Sequence, residues 1–192
     1  MSRCLMFVLV LLWVSTTPHP MYGADIYQGR VVDEETGQPL AGAVVTVVWF
    51  RSPIVGMEGT RDFQSAQEAV ADSDGKFYLP VSPGSNWNPF NYTRKEPEIV
   101  IYHPGYEPTW AGWMVRNKFR STIDLAQALK KGATIKLPKL KTKEDLIKFT
   151  NISSLTHVTV RYEYIPRLIE AVNVQNKMVG LKPYPAEGGK DR

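Results

Sequence analysis

Cysteine is nearly absent from this chain of 192 residues: one occurs, Cys4. A disulfide framework is therefore excluded. Histidine is scarce as well, three in all, and only His103 and His157 lie beyond residue 24. Metal sites and hydrolytic triads lean on histidine. One imidazole beside Pro104-Gly105 and another before a β-branched run read as hydrogen-bonded surface residues, so no metal and no cofactor is expected. Long apolar runs are missing too: none reaches the roughly 20 residues of a membrane-spanning helix. The net charge is only +4. Its cations fall in short groups, Lys130-Lys131 and Lys139, Lys141, Lys143, rather than in the continuous basic face that grips nucleic acid. That pattern points away from a nucleic-acid partner and leaves a solvated basic surface with a weak attraction for anionic envelope polymers. No Gly-x-Ser-x-Gly nucleophile elbow occurs. Asp72-Ser73-Asp74-Gly75 has the look of a calcium loop, but with Gly75 at the sixth position the first and last ligands would be Val70 and Val81, which cannot ligate.

What is present begins at the N-terminus. Arg3 supplies one positive charge, residues 5–14 (LMFVLVLLWV) carry no polar side chain, and residues 15–24 are polar with Pro18 and Pro20. This is the order of a secretory signal peptide. Cleavage is expected after Ala24, giving a mature start at Asp25, although Tyr22 is larger than the usual residue three positions before the cut. Cys4 precedes the apolar run and leaves with it, so the mature chain has no thiol. The expected location is secreted or periplasmic, with no stable membrane span after removal of the signal. Apolar residues make up 43% and charged residues 22%, ordinary values for a globular protein.

The first half of the mature chain reads as strands between turns. Residues 26–33 suit an edge strand, followed by a polar turn through Gly37 and Pro39. Residues 43–50 (AVVTVVWF) are β-branched and apolar on both faces, as expected of a strand covered on both sides. Residues 52–66 read as a loop insertion, 68–72 and 76–81 as strands flanking the Asp72–Gly75 turn, and 82–97 as irregular. Residues 98–103 and 133–137 read as further strands, with a short helix over 123–130. After Leu140 the period becomes helical. Thr142 is a candidate cap with Asp145 three residues on, Pro166 suits a first helical turn, and Leu168, Ile169, Val172, Asn176 and Val179 share one face before Gly180 stops the helix. The domains expected are a signal at 1–24, a β-domain at 25–140, a helical extension at 141–182, and a disordered tail at 183–192.

The segments GRVVD (29–33), TGQPLAGAVVTV (36–47) and ADSDGKFYL (71–79), with IYHPGY at 101–106, resemble the carboxypeptidase regulatory-like domain. The resemblance covers residues 25–138. It implies a mainly β fold, a seven-stranded Greek-key-type prealbumin-like β-sandwich, here with a short C-terminal helical extension. In this chain the segment Ala71-Asp72-Ser73-Asp74-Gly75 has Ala or Asp where the family usually has Thr. Some proteins of the wider fold are enzymes, such as intradiol dioxygenases with Tyr and His around iron, and hydroxyisourate hydrolases with paired His. Neither arrangement occurs here, nor does a carboxypeptidase His-x-x-Glu motif, and a sandwich fold by itself does not imply a function.

The expectation is a non-catalytic binding or structural module of the cell envelope, partnered by an envelope protein or polysaccharide. Trp87, Phe90, Tyr92, Tyr106, Trp110 and Trp113 fall in loop-rich sequence and are the candidate ligand or partner contacts, since aromatic faces in loops stack on sugars or pack on proteins. Alternatively they plug the ends of the sandwich or seat the helical tail. A carbohydrate-binding protein using these aromatics, and a small hydrolase with a pocket holding His103 or His157 beside a carboxylate, are the alternatives. Asn91-Tyr92-Thr93 and Asn151-Ile152-Ser153 match the glycosylation sequon, which matters only in a eukaryotic secretory pathway.

Overall fold

The structure, a computed structural model, describes residues 25–53, 61–82, 92–94, 97–109, 114, 117–156 and 160–185. The strands are β1 (Asp25–Asp33), β2 (Val44–Pro53), β3 (Asp62–Val70), β4 (Lys76–Val81), β5 (Tyr92–Arg94), β6 (Glu98–Tyr102) and β7 (Ala133–Leu137). The helices are α1 (Thr122–Lys130), α2 (Lys143–Lys148), α3 (Ile152–Thr156) and α4 (Pro166–Val179), with a 3-10 turn at Tyr162–Tyr164. The protein is mainly β, with two small sheets. One runs β4-β1-β7, and the other places β3 on one side of β2 with β5 and β6 on the other. Among the described residues the β1–β7 pairing is parallel and the other strand pairs are antiparallel.

One buried cluster draws on both sheets: Tyr27 and Val31 from β1, Phe77 and Leu79 from β4, Ile135 and Leu137 from β7, Val45, Val47 and Trp49 from β2, and Ile99 and Ile101 from β6. Helix α1 adds Leu125, Ala126 and Leu129, and Ser121 Oγ caps it by accepting the Asp124 N–H. A second cluster sits on the opposite face of β2. There Val44, Val48 and Phe50, with Val100 and Tyr102 of β6, meet Ile165, Leu168, Ile169 and Val172 of the tail. Alternate residues of a strand point to opposite faces, so the doubly apolar run at 43–50 is explained residue by residue: odd positions enter the inter-sheet cluster and even ones lie under α4.

The tail docks on its own chain. It covers the back of β2; Trp87, Trp110 and Trp113, which the sequence offered as seats for the tail, lie outside the described residues. Polar bonds fix the docking. Gln175, fully buried, accepts from Gly105 N through Oε1 and donates to Leu146 O through Nε2. The Tyr102 hydroxyl donates to Phe149 O, and the same burial that places it there raises its pKa. Thr142 caps α2 as expected, accepting from Asp145 N, and Gly180 ends α4 in the left-handed conformation at φ 79°.

Four expectations need correction. Residues 26–33, expected to form an edge strand, lie at the centre of their sheet, with β4 on one side and β7 on the other. The insertion expected at 52–66 is shorter, because β2 runs on to Pro53 and β3 begins at Asp62, paired from Arg51↔Asp62 to Val44↔Val70 with an irregularity at Trp49/Phe50. The polar sequence DFQSAQ hid this strand: it lies at a sheet edge, where packing asks little of the side chains. The stretch expected to be irregular includes β5, paired with residues 51–53. The tail expected to be disordered from Pro183 contains a docked Tyr184. Its N–H donates to Asn173 Oδ1 at 2.7 Å and its hydroxyl to Thr150 O at 3.0 Å.

Two glycines of the turn motifs have steric causes. A Cβ on Gly75, whose φ is +73°, would lie 2.4 Å from Val31 O, and one on Gly29 would lie 2.3 Å from Ala133 O. Gly75 is the only kind of residue that lets the β4 turn press on β1, and Gly29 admits β7 alongside. Asp72 is a turn residue here, its Oδ1 accepting from Asp74 N and Lys76 N.

Candidate functional site

Of the six aromatics singled out, Tyr106 is described with its side chain. It is half-buried against the inter-sheet cluster, and its hydroxyl donates to Asp33 Oδ2 at 2.9 Å. Asp33 is buried at the end of β1. Its Oδ1 accepts the N–H groups of Glu35 and Thr36 at 2.8 and 2.9 Å, which folds the turn that carries Gly37. The Thr36 amide, then the Tyr106 hydroxyl, hold the Asp33 carboxyl below the usual aspartate range. Burial first, then the bond to Asp33, pushes Tyr106 up to about 12. Tyr106 thus ties the first turn to the segment after β6. Tyr92 lies in β5 opposite Pro53. Trp87, Phe90, Trp110 and Trp113, together with Ala24 and His157, lie outside the described residues.

His103 follows β6. Its Nδ1 is 2.9 Å from Pro104 O and its Nε2 3.2 Å from Ala41 O, and its ring meets Tyr106 edge-on at 5.0 Å between centroids. A neutral imidazole has one N–H, so only one of these carbonyls receives a donor at a time. The doubly donating cation is disfavoured, because burial lowers the pKa against the pull of both carbonyls. Neither nitrogen is turned to a carboxylate.

His103 also lines a groove of about 610 Å³ between α4 and the ends of β2 and β3. Its walls are mostly apolar, with Val44, Val70, Ala171, Val174 and Met178, and Arg167 and Glu170 also line it. Val70, Val174 and Met178 are exposed. Val174 and Met178 stand four residues apart, a second and weaker stripe on α4 beside the one that packs on β2. That spacing was legible in the sequence and is overshadowed there by the Leu168–Val179 stripe. A second groove, of about 520 Å³, lies between residues 139–141 and α2 and is lined by Glu107, Lys139, Leu140, Lys141, Asp145, Lys148 and Phe149. Its lysines are partly committed: Lys141 pairs with Glu35 and Lys148 with Asp145, both at 2.9 Å.

Glu68 of β3 is the charged group that sequence reasoning missed. Helix α4 starts at Pro166 with no side-chain cap of its own. Glu68 Oε2 accepts from Arg167 N at 2.8 Å, and Oε1 accepts from Leu168 N at 2.9 Å and from Thr46 Oγ1 at 3.0 Å. The carboxylate supplies the cap from about a hundred residues away in the chain, a separation no local motif encodes. Burial raises its pKa against these three bonds.

Among the described residues no group of three or more His, Cys, Asp and Glu is arranged to hold a metal ion, and no helix is long and apolar enough to cross a membrane. No family model matches the chain, and no curated protein matches it. Among solved structures, a 9R-lipoxygenase from Cyanothece PCC8801 is similar at 17% identity and a TM-score of 0.27, covering 52% of this chain. The match spans 14% of that enzyme's chain, and a likeness so slight carries no argument about fold or activity.

Proposed function

We propose that this chain is an exported, non-catalytic binding or structural module of the cell envelope, built on a carboxypeptidase regulatory-like domain, a seven-stranded prealbumin-like Greek-key sandwich. Its partner in this reading is an envelope protein or polysaccharide. The observation that carries the reading is how the buried titratable groups are used. Asp33 closes a turn and holds Tyr106, Glu68 caps α4, and His103 lies between two backbone carbonyls. The Asp33 and Glu68 carboxylates are taken up by amide and hydroxyl donors and build a framework; neutral His103 keeps one ring lone pair, but neither nitrogen is bonded to a carboxylate that would orient it as a general base. The two sheets around a common cluster and the steric demand for Gly29 and Gly75 support the family resemblance, because these glycines belong to the segments that carry it.

The hydrolase alternative draws on one observation, that His103 and Glu170 line the same groove. Two measurements decide. N-terminal sequencing of protein recovered from the periplasm or medium should read from Asp25, and full-length cytoplasmic protein would refute export. Purified protein should leave activated esters untouched; hydrolysis abolished by His103→Ala would establish the enzyme instead.

A further inference from the structure

We infer that the solvent-facing side of the β4-β1-β7 sheet is a docking surface for an acidic polysaccharide, with Tyr78 as the stacking ring, Arg30 and Lys76 near it, and Lys136 further along the same face. The choice of a polysaccharide rests on the envelope reading above; the cationic, aromatic character of the face does not.

The face follows from register. On β4, Phe77, Leu79 and Val81 point into the inter-sheet cluster, so Lys76 and Tyr78 point away from it. β1 sets Gln28 opposite Tyr78 and Arg30 opposite Lys76. β7 sets Thr134 opposite Arg30, and Lys136 opposite Val32. Residues facing each other across such a pair stand about 5 Å apart and diagonal neighbours about 7–8 Å apart, so Arg30 and Lys76 both lie beside the Tyr78 ring. The outward positions of the three strands within these registers hold three cations and no acidic residue. The back of the other sheet is buried under α4, whereas here Tyr78 is 58% exposed.

The cations are available. Among the described residues Arg30 and Lys136 form no ion pair, and Lys76 has only the exposed Asp74 at 3.3 Å, a contact of a class that contributes little in water. Arg30 Nε donates to Asp74 O at 2.7 Å, which anchors the guanidinium at the edge of the face without neutralising it. A polymer of acidic sugars matches both features. The apolar C–H side of a pyranose packs on a flat aromatic ring, and carboxylates spaced along the chain meet three cations that the one neighbouring acid, Asp74, offsets only in part.

The test is equilibrium binding of the purified full chain to polygalacturonate, with neutral dextran and double-stranded DNA as the comparison polymers. Polygalacturonate should bind, its affinity should fall as salt screens the cations, and dextran should not bind. Arg30→Gln combined with Lys136→Gln should weaken binding about tenfold or more, and Tyr78→Ala should weaken it several-fold even in high salt. Lys177→Gln on α4 should change nothing. All four positions are exposed, so melting temperatures should stay near that of the unmodified protein. Unchanged affinity in the double variant, or DNA binding as tightly as polygalacturonate, overturns the inference. Cytoplasmic protein that still binds polygalacturonate would refute the envelope reading and leave the face standing, whereas exported protein that binds none refutes the face alone.

Discussion

Replacing Glu68 tests how the tail is held to the two-sheet β-domain. In α4 the first-turn donors at Arg167 and Leu168 have no partner on their own helix, and Pro166 has no N–H to offer. Glu68→Ala removes the acceptor for both amides and for the Thr46 hydroxyl. Losing a cap costs about 0.5–2 kcal/mol, and leaving partly buried donors unpaired costs about 1–3 kcal/mol. These overlap, so the expected loss is about 1–3 kcal/mol. Glu68→Gln should lose less. Its one amide oxygen can still accept from Leu168 N and the Thr46 hydroxyl, its nitrogen cannot accept from Arg167 N, and it discards a charge that burial penalises, as the raised pKa shows. The pH dependence has a definite sign. Between the ordinary glutamate value of 4.5 and the higher folded value, the native state holds more protons than the unfolded one, so this group's contribution to stability falls as pH rises through that window. Glu68→Gln should remove that fall. The assay is urea unfolding followed by circular dichroism from pH 4 to 8, with unchanged m-values as the check on two-state behaviour. A Glu68→Ala protein within about 0.5 kcal/mol of the parent, or a Gln variant as damaged as the Ala variant, would show that the capping argument is wrong. A cycle with Thr46→Val isolates the hydroxyl's share.

Leu168→Ala, beneath α4 against the back of β2, should cost about 2–5 kcal/mol, read as a lower urea midpoint. Truncation after Leu140 should expose Val44, Val48, Phe50 and Val100 and increase binding of a hydrophobic dye; a truncated protein with parental stability and no added dye binding would overturn the docking described here. Gly75→Ala should lose more than about 1 kcal/mol, because both its φ and the Val31 carbonyl oppose a side chain; calorimetry measures it. At alkaline pH the raised Tyr106 pKa means stability present below the ordinary value of 10.0 is lost as pH climbs toward about 12, and Tyr106→Phe should shallow that decline in the urea midpoint. The depressed Asp33 pKa acts at the other end: its stabilisation is present above the ordinary value of 3.8 and is lost as pH falls through the lower folded value, a slope Asp33→Asn should remove.

Local chemistry was legible in the sequence where one segment determines its own conformation. The Asp72–Gly75 turn, the cap at Thr142, Pro166 opening a helix and Gly180 closing it depend on neighbours a few residues away. The β-branched run at 43–50 announced a strand covered twice, because apolar residues at both parities have no other stable place. Only the tertiary structure decided what covers it. The even-numbered face could have met a second copy or a partner; α4 meets it because Leu168, Ile169 and Val172 find there an apolar surface of their own chain. Glu68 reads as an ordinary exposed acid until β3 brings it to the start of α4. Tyr106 reads as a loop aromatic until Asp33 reaches it across the fold. β3 itself was hidden, since its polar sequence is permitted by an edge and its pairing comes from β2. What the sequence alone determined are conformations set by torsion angles and adjacent side chains. The tail's docking, its remote cap and the face left to solvent were decided by contacts between segments far apart in the chain, where pairing energy depends on geometry that no local pattern encodes.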